Sequence, residues 1–283
     1  MFTIGIYGFT LTKITHFSFG TMYPVETSLF KLKKYRQDKD KLHLTAFLEL
    51  DVPDRNEVTD LIFHLEKILS FIEQRPVLIK YQLHDKENKN NLSDNYPRNI
   101  TPNINLSSSG EVLLEDYFSK NSRRYFIELA INKIVITEDR PFTTMLHKNV
   151  LVFSNPVNYL DVSYYLLFSG LESLVRERES DFKSNIAPIM YRYLKKHGFN
   201  IKQQNNKHHE ISLDIYCSLR NALFHNGQFQ TMPMKRGSQL ISFALKDFYS
   251  QFKRLNCLVI LKEAGFNDTS INWDFSDYRH PFH

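Results

Sequence analysis

The spacing of apolar residues changes near the middle of this chain, from a period of two to a period of 3.6. In the first part, segments rich in β-branched and aromatic residues are predicted as strands at residues 2–9, 11–19, 42–50 and 77–83. In the second part, apolar residues recur on one helical face: Val157, Leu160, Tyr164, Phe168, Leu171, Leu174 and Val175. The pattern predicts an α+β domain over residues 1–145, followed by an all-α antiparallel helical bundle over residues 146–283.

Within the first part, one segment is strongly amphipathic. An apolar stripe predicts a helix over residues 54–74, which Pro76 terminates; the stripe is Leu61, Leu65, Ile68, Leu69 and Ile72. The remaining segments are predicted as a solvated turn at 31–41, a long polar loop at 84–110, a helix at 111–126 and a strand at 127–137. The domain boundary is placed within residues 140–156, for which no structure is predicted.

The second part contains three further helical patterns, at residues 185–197, 211–227 and 240–265. Pro233 and Gly237 indicate a loop before the last of them. The aromatic tail, with Trp273, Phe275, Tyr278 and Phe282, is predicted to fold back onto a neighbouring surface.

The 283-residue chain has a net charge of +5, and four of these five charges lie from Leu151 onward. Basic side chains are dense between residues 183 and 236, where nine of them face only two acidic ones, Glu210 and Asp214. Such a segment attracts a polyanion, although a solvated basic face is the alternative interpretation. The candidate RNA-binding residues are Lys195, Lys196, Lys202, Lys207, Lys235 and Arg236.

Several classes of site are not indicated. Cys217 and Cys257 lack CxxC spacing, which argues against a disulfide scaffold or a structural zinc and favours a reducing, cytoplasmic location. His208, His209 and Asp214 form no metal motif and are interpreted as a solvated polar linker. Phosphate-binding and nucleophile motifs (GxxxxGK, GxGxxG, GxSxG) are missing, so neither cofactor nor metal is expected. We also expect no signal peptide and no membrane segment.

Candidate catalytic residues lie at the end of the helix predicted over residues 211–227. Arg220, Asn221 and His225 fall in its last turn, before Asn226 and Gly227, which favour helix termination. Asn221 and His225 are four residues apart on nearly one face, whereas Arg220 and His225 diverge by roughly 140°. A site that uses both requires the length of the arginine side chain, a helix that ends at His225, or a second copy packed across a two-fold axis.

The sequence RNALFH, from Arg220 to His225, resembles the Arg-x4-6-His motif of HEPN domains, an all-α family that contains many metal-independent RNA endonucleases. FSGLESLV, with Glu172, resembles the first long helix of that family, and NIAPIMYRYLKK resembles the next. The spacing is most similar to the Apea-like subgroup, and FIEQRPV resembles its accompanying N-terminal domain. The resemblance implies a homodimeric endoribonuclease with 2′,3′-cyclic phosphate products, acting as a toxin or abortive-infection effector in antiphage defence. It also suggests an N-terminal domain that senses or restrains, with a phage-derived trigger or regulatory protein as its partner.

The chemistry of these side chains supports the same assignment. His225 is the candidate general acid or base, Arg220 the phosphate clamp and Asn221 the orienting group, with Glu172 as a supporting carboxylate. The structural alternatives are a His225 that contacts the helix terminus, an Arg220 paired with Asp214 or Glu172, and an Asn221 bonded to backbone. The rival function is a non-catalytic dimerisation and nucleic-acid-binding module. Silencing by nucleotidylation of a tyrosine two residues after the histidine is disfavoured, because Gly227 occupies that position.

Overall fold

The protein has a mixed α+β fold with an N-terminal sheet. The computed structural model describes residues 2–51, 55–83, 89, 91–103, 106, 112–115, 121–154, 159–204 and 211–277. Among these residues two compact units form, one within Met1–Asp139 and Phe153–Val157, the other within Arg140–Val152 and Asn158–His283. The predicted boundary between residues 145 and 146 falls inside helix α4 (Arg140–Ser154).

The sheet of the first unit is antiparallel and is built around a long, buried strand. Its strands are β1 (Phe2–Tyr7), β2 (Thr15–Phe17), β3 (Gly20–Pro24), β4 (Leu42–Leu50), β5 (Leu78–Gln82) and β6 (Asn99–Ile100). The order is β2-β3-β4-β1-β5, and β6 pairs with β4. Strand β3 was not predicted as a separate element. A side chain at Gly20 would collide with the Glu49 carbonyl, so glycine permits the close pairing of β3 with β4.

Helix α2 (Arg55–Glu73) confirms the strongest helical prediction of the first part. Its predicted stripe is buried: Leu61 is 8% exposed, and Leu65, Ile68, Leu69 and Ile72 are fully enclosed. The stripe therefore supplies much of the apolar contact that holds this helix in the unit.

The predicted turn at residues 31–41 is wrong, because helix α1 (Leu29–Gln37) forms there. Leu32 is its single buried residue, so the sequence carries no apolar stripe that marks a helix. A distant residue stabilises it instead: the guanidinium of Arg75 donates hydrogen bonds to the carbonyls of Tyr35 and Arg36 at the end of the helix.

The predicted strand at residues 127–137 is also wrong. Helix α3 (Ser122–Ile131) continues into a π-helical segment, Asn132–Ile136. The buried residues follow a helical spacing: Phe126, Ile127, Ala130, Ile131 and Ile134. Ile136, assigned to the alternating pattern, is 70% exposed. A short apolar run fits both periods, and packing selected the helical one.

The polar regions of the first unit contain more structure than predicted. Tyr96 and Leu106, in the predicted loop at 84–110, are buried, and the Tyr96 hydroxyl donates to the Tyr81 carbonyl at 2.6 Å. The predicted helix at 111–126 is not helical at 112–115, where the Leu113 amide donates to the Ile72 carbonyl at 2.7 Å. Residues 122–126 of the same prediction are helical and form the start of helix α3. Residues 84–88 and 116–120 are among those outside the described ranges.

Among its described residues, the second unit contains most of α4, where no structure was predicted, and four further helices at the positions of the predicted helical patterns. These are α5 (Leu160–Glu179), α6 (Ile186–Lys196), α7 (Leu213–Asn226) and α8 (Leu245–Glu263). The unit also contains a two-stranded hairpin, so it is not all-α as predicted. The rings of Tyr164, Phe168 and Tyr216 surround Phe252, with ring centroids 4.8–5.8 Å from that of Phe252. This aromatic cluster joins α5, α7 and α8. The Tyr164 hydroxyl donates to the Tyr216 carbonyl at 2.7 Å, and burial raises the pKa of Tyr164.

A two-stranded hairpin separates α7 from α8, where the sequence predicted a loop followed directly by a helix from residue 240. Its strands are β7 (Met234–Arg236) and β8 (Gln239–Ile241), and Gly237 in the turn has φ +60°. Leu240 is therefore 72% exposed on β8 instead of lying on the helix. In the described part of the tail, Ile271 and Phe275 are buried and Lys262 lies 3.9 Å above the ring of Trp273. Tyr278 and Phe282 lie outside the described residues.

Candidate active site at the end of α7

Helix α7 buries one side and ends at a glycine. Its buried residues are Leu213, Ile215, Tyr216, Leu219, Ala222 and Leu223. Gly227 has φ +62° and donates its amide to the Leu223 carbonyl at 2.9 Å, while the Gln228 amide donates to the Ala222 carbonyl at 3.1 Å. These bonds satisfy terminal carbonyls and fix the end of the helix; His225 lies in its last turn, and Arg220 and Asn221 lie in the turn before.

Arg220 points toward α5. Its Nη2 lies 3.7 Å from Glu172 Oε2, and its guanidinium carbon lies 5.8 Å from the ring centroid of Phe168 and 5.4 Å from that of Phe224. The side chain is 30% exposed, so part of the fork remains accessible to solvent. Arg220 is thus flanked by a carboxylate and two aromatic rings, which restrict its orientation.

Asn221 connects Arg220 to the surroundings of His225. Its Oδ1 accepts a hydrogen bond from Arg220 Nη1 at 3.0 Å. Asn221 and His225 are both exposed, and both line a cleft of about 250 Å³ together with Ser218, Ala222, Asn226, Met232, Pro233 and Met234. Arg220 is not among the lining residues of this cleft. Within one chain, the amide of Asn221 is therefore the direct link between the arginine and the cleft of the histidine.

The carboxylate of Glu172 has a nearer partner than Arg220. Glu172 Oε1 lies 2.9 Å from Arg176 Nη2 and accepts from Arg176 Nε at 3.0 Å. The predicted contact between Glu172 and Arg220 is present at the longer distance of 3.7 Å, whereas the alternative partner Asp214 pairs with Arg236. Glu172 therefore lies between two arginines, in a position to orient Arg220.

A half-buried thiol, that of Cys217, lies near Glu172 and Arg220. Burial and, to a lesser extent, the charge of Glu172 raise the pKa of Cys217 to about 12. A thiol with such a pKa is protonated at neutral pH, so Cys217 is neither a nucleophile nor an acid–base group there. The ammonium of Lys148 donates to Ser169 Oγ at 3.0 Å, and burial lowers the pKa of this lysine.

The basic residues predicted to bind RNA divide into two groups. Lys195 and Lys196 are exposed on α6, and Lys202 and Lys235 are exposed in connecting segments. Arg236 differs from the prediction: it is 7% exposed, pairs with Asp214 at 2.9 Å and lies 5.4 Å from the ring centroid of Phe243. Its charge is therefore compensated inside the fold and is not part of the basic surface. Lys207 lies outside the described residues.

Some residues of the cleft were not predicted from the sequence. Met232, Pro233 and Met234 line it because the chain returns through the hairpin after α7. Pro233 had been recognised as a loop marker, which is the signal that could have placed this segment beside the helix end. Phe168 and Phe224 flank Arg220. Both are apolar residues within predicted helices, and nothing in the sequence distinguishes them as neighbours of a functional arginine.

Neither a cluster of metal-binding side chains nor a membrane-spanning helix is present in the described part of the chain. No group of three or more His, Cys, Asp or Glu side chains there could hold a metal ion. His208 and His209 lie outside that part, and Asp214 is engaged by Arg236. None of the helices among the described residues combines the length and the apolar character that crossing a bilayer requires.

Comparison with known proteins assigns no family to this arrangement. No protein-family model, no curated protein and no solved structure matches the chain.

Proposed function

We propose that this chain is a metal-independent endoribonuclease of the HEPN type. The observation that carries the proposal is the position of Asn221, which accepts a hydrogen bond from Arg220 at 3.0 Å and lines the same cleft as the exposed His225. The guanidinium of Arg220, the amide of Asn221 and the imidazole of His225 are thereby connected near one helix end. Substrate can reach the exposed Asn221 and His225, and Arg220 is 30% exposed. The helices α5–α8 form the HEPN-like antiparallel bundle in this proposal.

These groups suit RNA cleavage by internal transfer. The 2′-hydroxyl of one nucleotide loses its proton to a base and attacks the adjacent phosphorus, while the bond to the 5′-oxygen breaks and an acid protonates that oxygen. The products are a 2′,3′-cyclic phosphate and a 5′-hydroxyl. His225 supplies the proton transfers, Arg220 stabilises the charge on the phosphate oxygens and Asn221 orients the imidazole or the phosphate. Glu172 supports the orientation of Arg220.

The proposed site is shared by a homodimer, which the directions of the two principal side chains support. Arg220 contacts Glu172 of α5, whereas His225 lines the cleft with the 232–234 segment. Two groups on different sides of one helix act on one phosphate most directly when a second copy contributes one of them. RNA reaches this site along the exposed lysines Lys195, Lys196, Lys202 and Lys235, which bind its backbone through their charge.

The biological role that we propose is a cytoplasmic toxin or abortive-infection effector in antiphage defence. The first unit senses a phage-derived trigger or a regulatory protein and restrains the nuclease until then. This part of the proposal is based on the resemblance of the Arg220–His225 motif and of the FIEQRPV segment to Apea-like HEPN proteins.

The test is cleavage of end-labelled RNA by the purified chain in EDTA, with wild type compared with His225→Ala. We expect EDTA-resistant cleavage that leaves 2′,3′-cyclic phosphate ends, and loss of at least about 100-fold in rate for the variant. Because His225 is exposed in the single chain, its removal should leave folding intact, and size-exclusion chromatography checks that the variant has the same oligomeric state as wild type. The matched control is His16→Ala, an exposed histidine of the first unit. Equal cleavage by wild type and His225→Ala would refute the proposal.

A second candidate function is a non-catalytic dimerisation and nucleic-acid-binding module. The contacts of Arg220 with Glu172 and with the rings of Phe168 and Phe224 favour it, because they occupy the arginine within the fold. In that case wild type and His225→Ala bind RNA with the same affinity, and neither cuts it.

A further inference from the structure

A second concave site lies wholly within the first unit. It is a pocket of about 440 Å³ that α1 borders on one side. Among the described residues that line it, four carry a cationic side chain, Lys13, Lys33, Arg36 and Arg123, and one carries a carboxylate, Glu115. We propose that this pocket binds a phosphate-bearing small molecule.

Two guanidinium groups of the pocket wall lie beside a buried carboxylate. Arg123, whose side chain is 7% exposed, lies with Nη1 3.1 Å from Glu73 Oε1, and Arg36 Nε lies 3.6 Å from Glu73 Oε2. The carboxylate of Glu73 is fully enclosed and lies near both guanidinium groups. Because water cannot solvate a charge well there, an anion in the pocket would be attracted more strongly than at an open surface.

Both guanidinium groups are held in place before any ligand binds. Arg123 donates Nε to the Leu114 carbonyl at 2.7 Å and also donates to the Thr10 carbonyl. Arg36 belongs to α1, whose last carbonyls accept hydrogen bonds from the buried Arg75. A preorganised site loses little side-chain entropy on binding, which favours affinity for a small ligand.

The side chains that line the pocket indicate which class of ligand it binds. Lys13 and Lys33 are exposed at the pocket and add two further positive charges, which suit the oxygens of a phosphoryl group. Leu29 and Val112 provide an apolar wall, which suits a base or another apolar group attached to the phosphate. The volume falls within the range of pockets for small molecules, about 300–1,000 Å³, and excludes a folded partner. A nucleotide has these chemical features.

This inference goes beyond the proposed nuclease and does not depend on it, because the pocket and the cleft of His225 have no residue in common. It gives the first unit a ligand of its own. Binding can therefore be measured on the full chain whether or not the chain cuts RNA.

The experiment is isothermal titration calorimetry of the full chain with ADP, pyrophosphate and adenosine as probes. We expect saturable binding of ADP and pyrophosphate that weakens as salt is raised, because the attraction is electrostatic. Adenosine, which lacks phosphate, should bind at least about tenfold more weakly than ADP. Absence of ADP and pyrophosphate binding at millimolar concentration, or equal binding of adenosine, would overturn the proposal.

Adjacent lysines of α1 provide the matched control. Lys33 lines the pocket, whereas the exposed Lys34 does not. Lys33→Ala should raise the Kd for ADP about five- to tenfold, and Lys34→Ala should change it less than about twofold. Lys13→Ala, at another residue that lines the pocket, provides an independent second variant with the same expected loss. Equal effects of Lys33→Ala and Lys34→Ala would show attraction by general surface charge and would refute a site in this pocket.

Discussion

Arg220 donates a hydrogen bond from Nη1 to Oδ1 of its chain neighbour Asn221, at 3.0 Å. Neighbouring residues on a helix point about 100° apart, so this bond joins two sides of α7. One side contacts Glu172 on α5 and the other lines the cleft of His225. A substitution of Arg220 should therefore change the orientation of Asn221 in the cleft, although the arginine does not line the cleft.

The first prediction concerns the forked shape of Arg220. Arg220→Lys keeps the charge but removes the fork that reaches both Glu172 and Asn221, so we expect single-turnover RNA cleavage to fall about 10- to 100-fold. The control is Arg176→Lys, which alters the other partner of Glu172 and should change the rate less than about threefold. A wild-type rate for Arg220→Lys would exclude the arginine as a bidentate phosphate ligand.

The second prediction separates two adjacent basic residues of the hairpin. Arg236→Ala removes one partner of the largely buried pair with Asp214 and should lower the free energy of unfolding by about 2–3 kcal/mol, measured by urea denaturation. Lys235→Ala should leave stability within about 0.5 kcal/mol, because this lysine is exposed. In fluorescence anisotropy, Lys235→Ala should weaken RNA binding and reduce its salt dependence. Similar stabilities of the two variants would contradict the structural role of Arg236.

The third prediction concerns the thiol of Cys217. Its pKa of about 12, raised by burial and by Glu172, makes the reactive thiolate rare at pH 8. We expect alkylation of Cys217 in the native protein to be at least about 100-fold slower than in urea, followed for each cysteine by peptide mass spectrometry. Glu172→Gln should increase the native rate only slightly, because burial is the larger cause. Rapid labelling of the native wild type would show that this side of α7 is open to solvent.

The fourth prediction concerns the carboxylate of Glu263, which connects three helices of the second unit. Its Oε1 accepts from the Tyr193 hydroxyl at 2.5 Å, its Oε2 from Arg178 Nε at 2.9 Å, and His197 Nε2 lies 3.3 Å from Oε1. Glu263→Gln removes the charge, and we expect a loss of about 2 kcal/mol in the free energy of unfolding, since Arg178 is partly exposed.

The control for Glu263 is Glu177→Gln, an exposed carboxylate on α5. It should change the free energy of unfolding by less than about 0.5 kcal/mol. If both variants unfold at the same urea concentration as wild type, the Glu263 cluster contributes nothing to stability.

The elements that could be predicted from the sequence are those with a strong period of their own. The stripe of α2 and the apolar run of β4 identified a helix and a buried strand at nearly the observed bounds. Helix α1 could not be predicted, because its terminal carbonyls are satisfied by Arg75, far along the chain. The π-helical end of α3 was mistaken for a strand because its few apolar residues fit either period.

For the candidate site, the amino-acid sequence by itself determined where α7 ends, since Gly227 adopts the left-handed conformation readily, and it placed Asn221 and His225 on nearly one face. Only the tertiary structure decided which charges remain at the surface. Arg236 and Lys235 are equivalent as sequence, yet a carboxylate on α7 holds the first inside the fold. The physical reason is that burial and pairing depend on residues brought together by packing, and no local pattern encodes those partners.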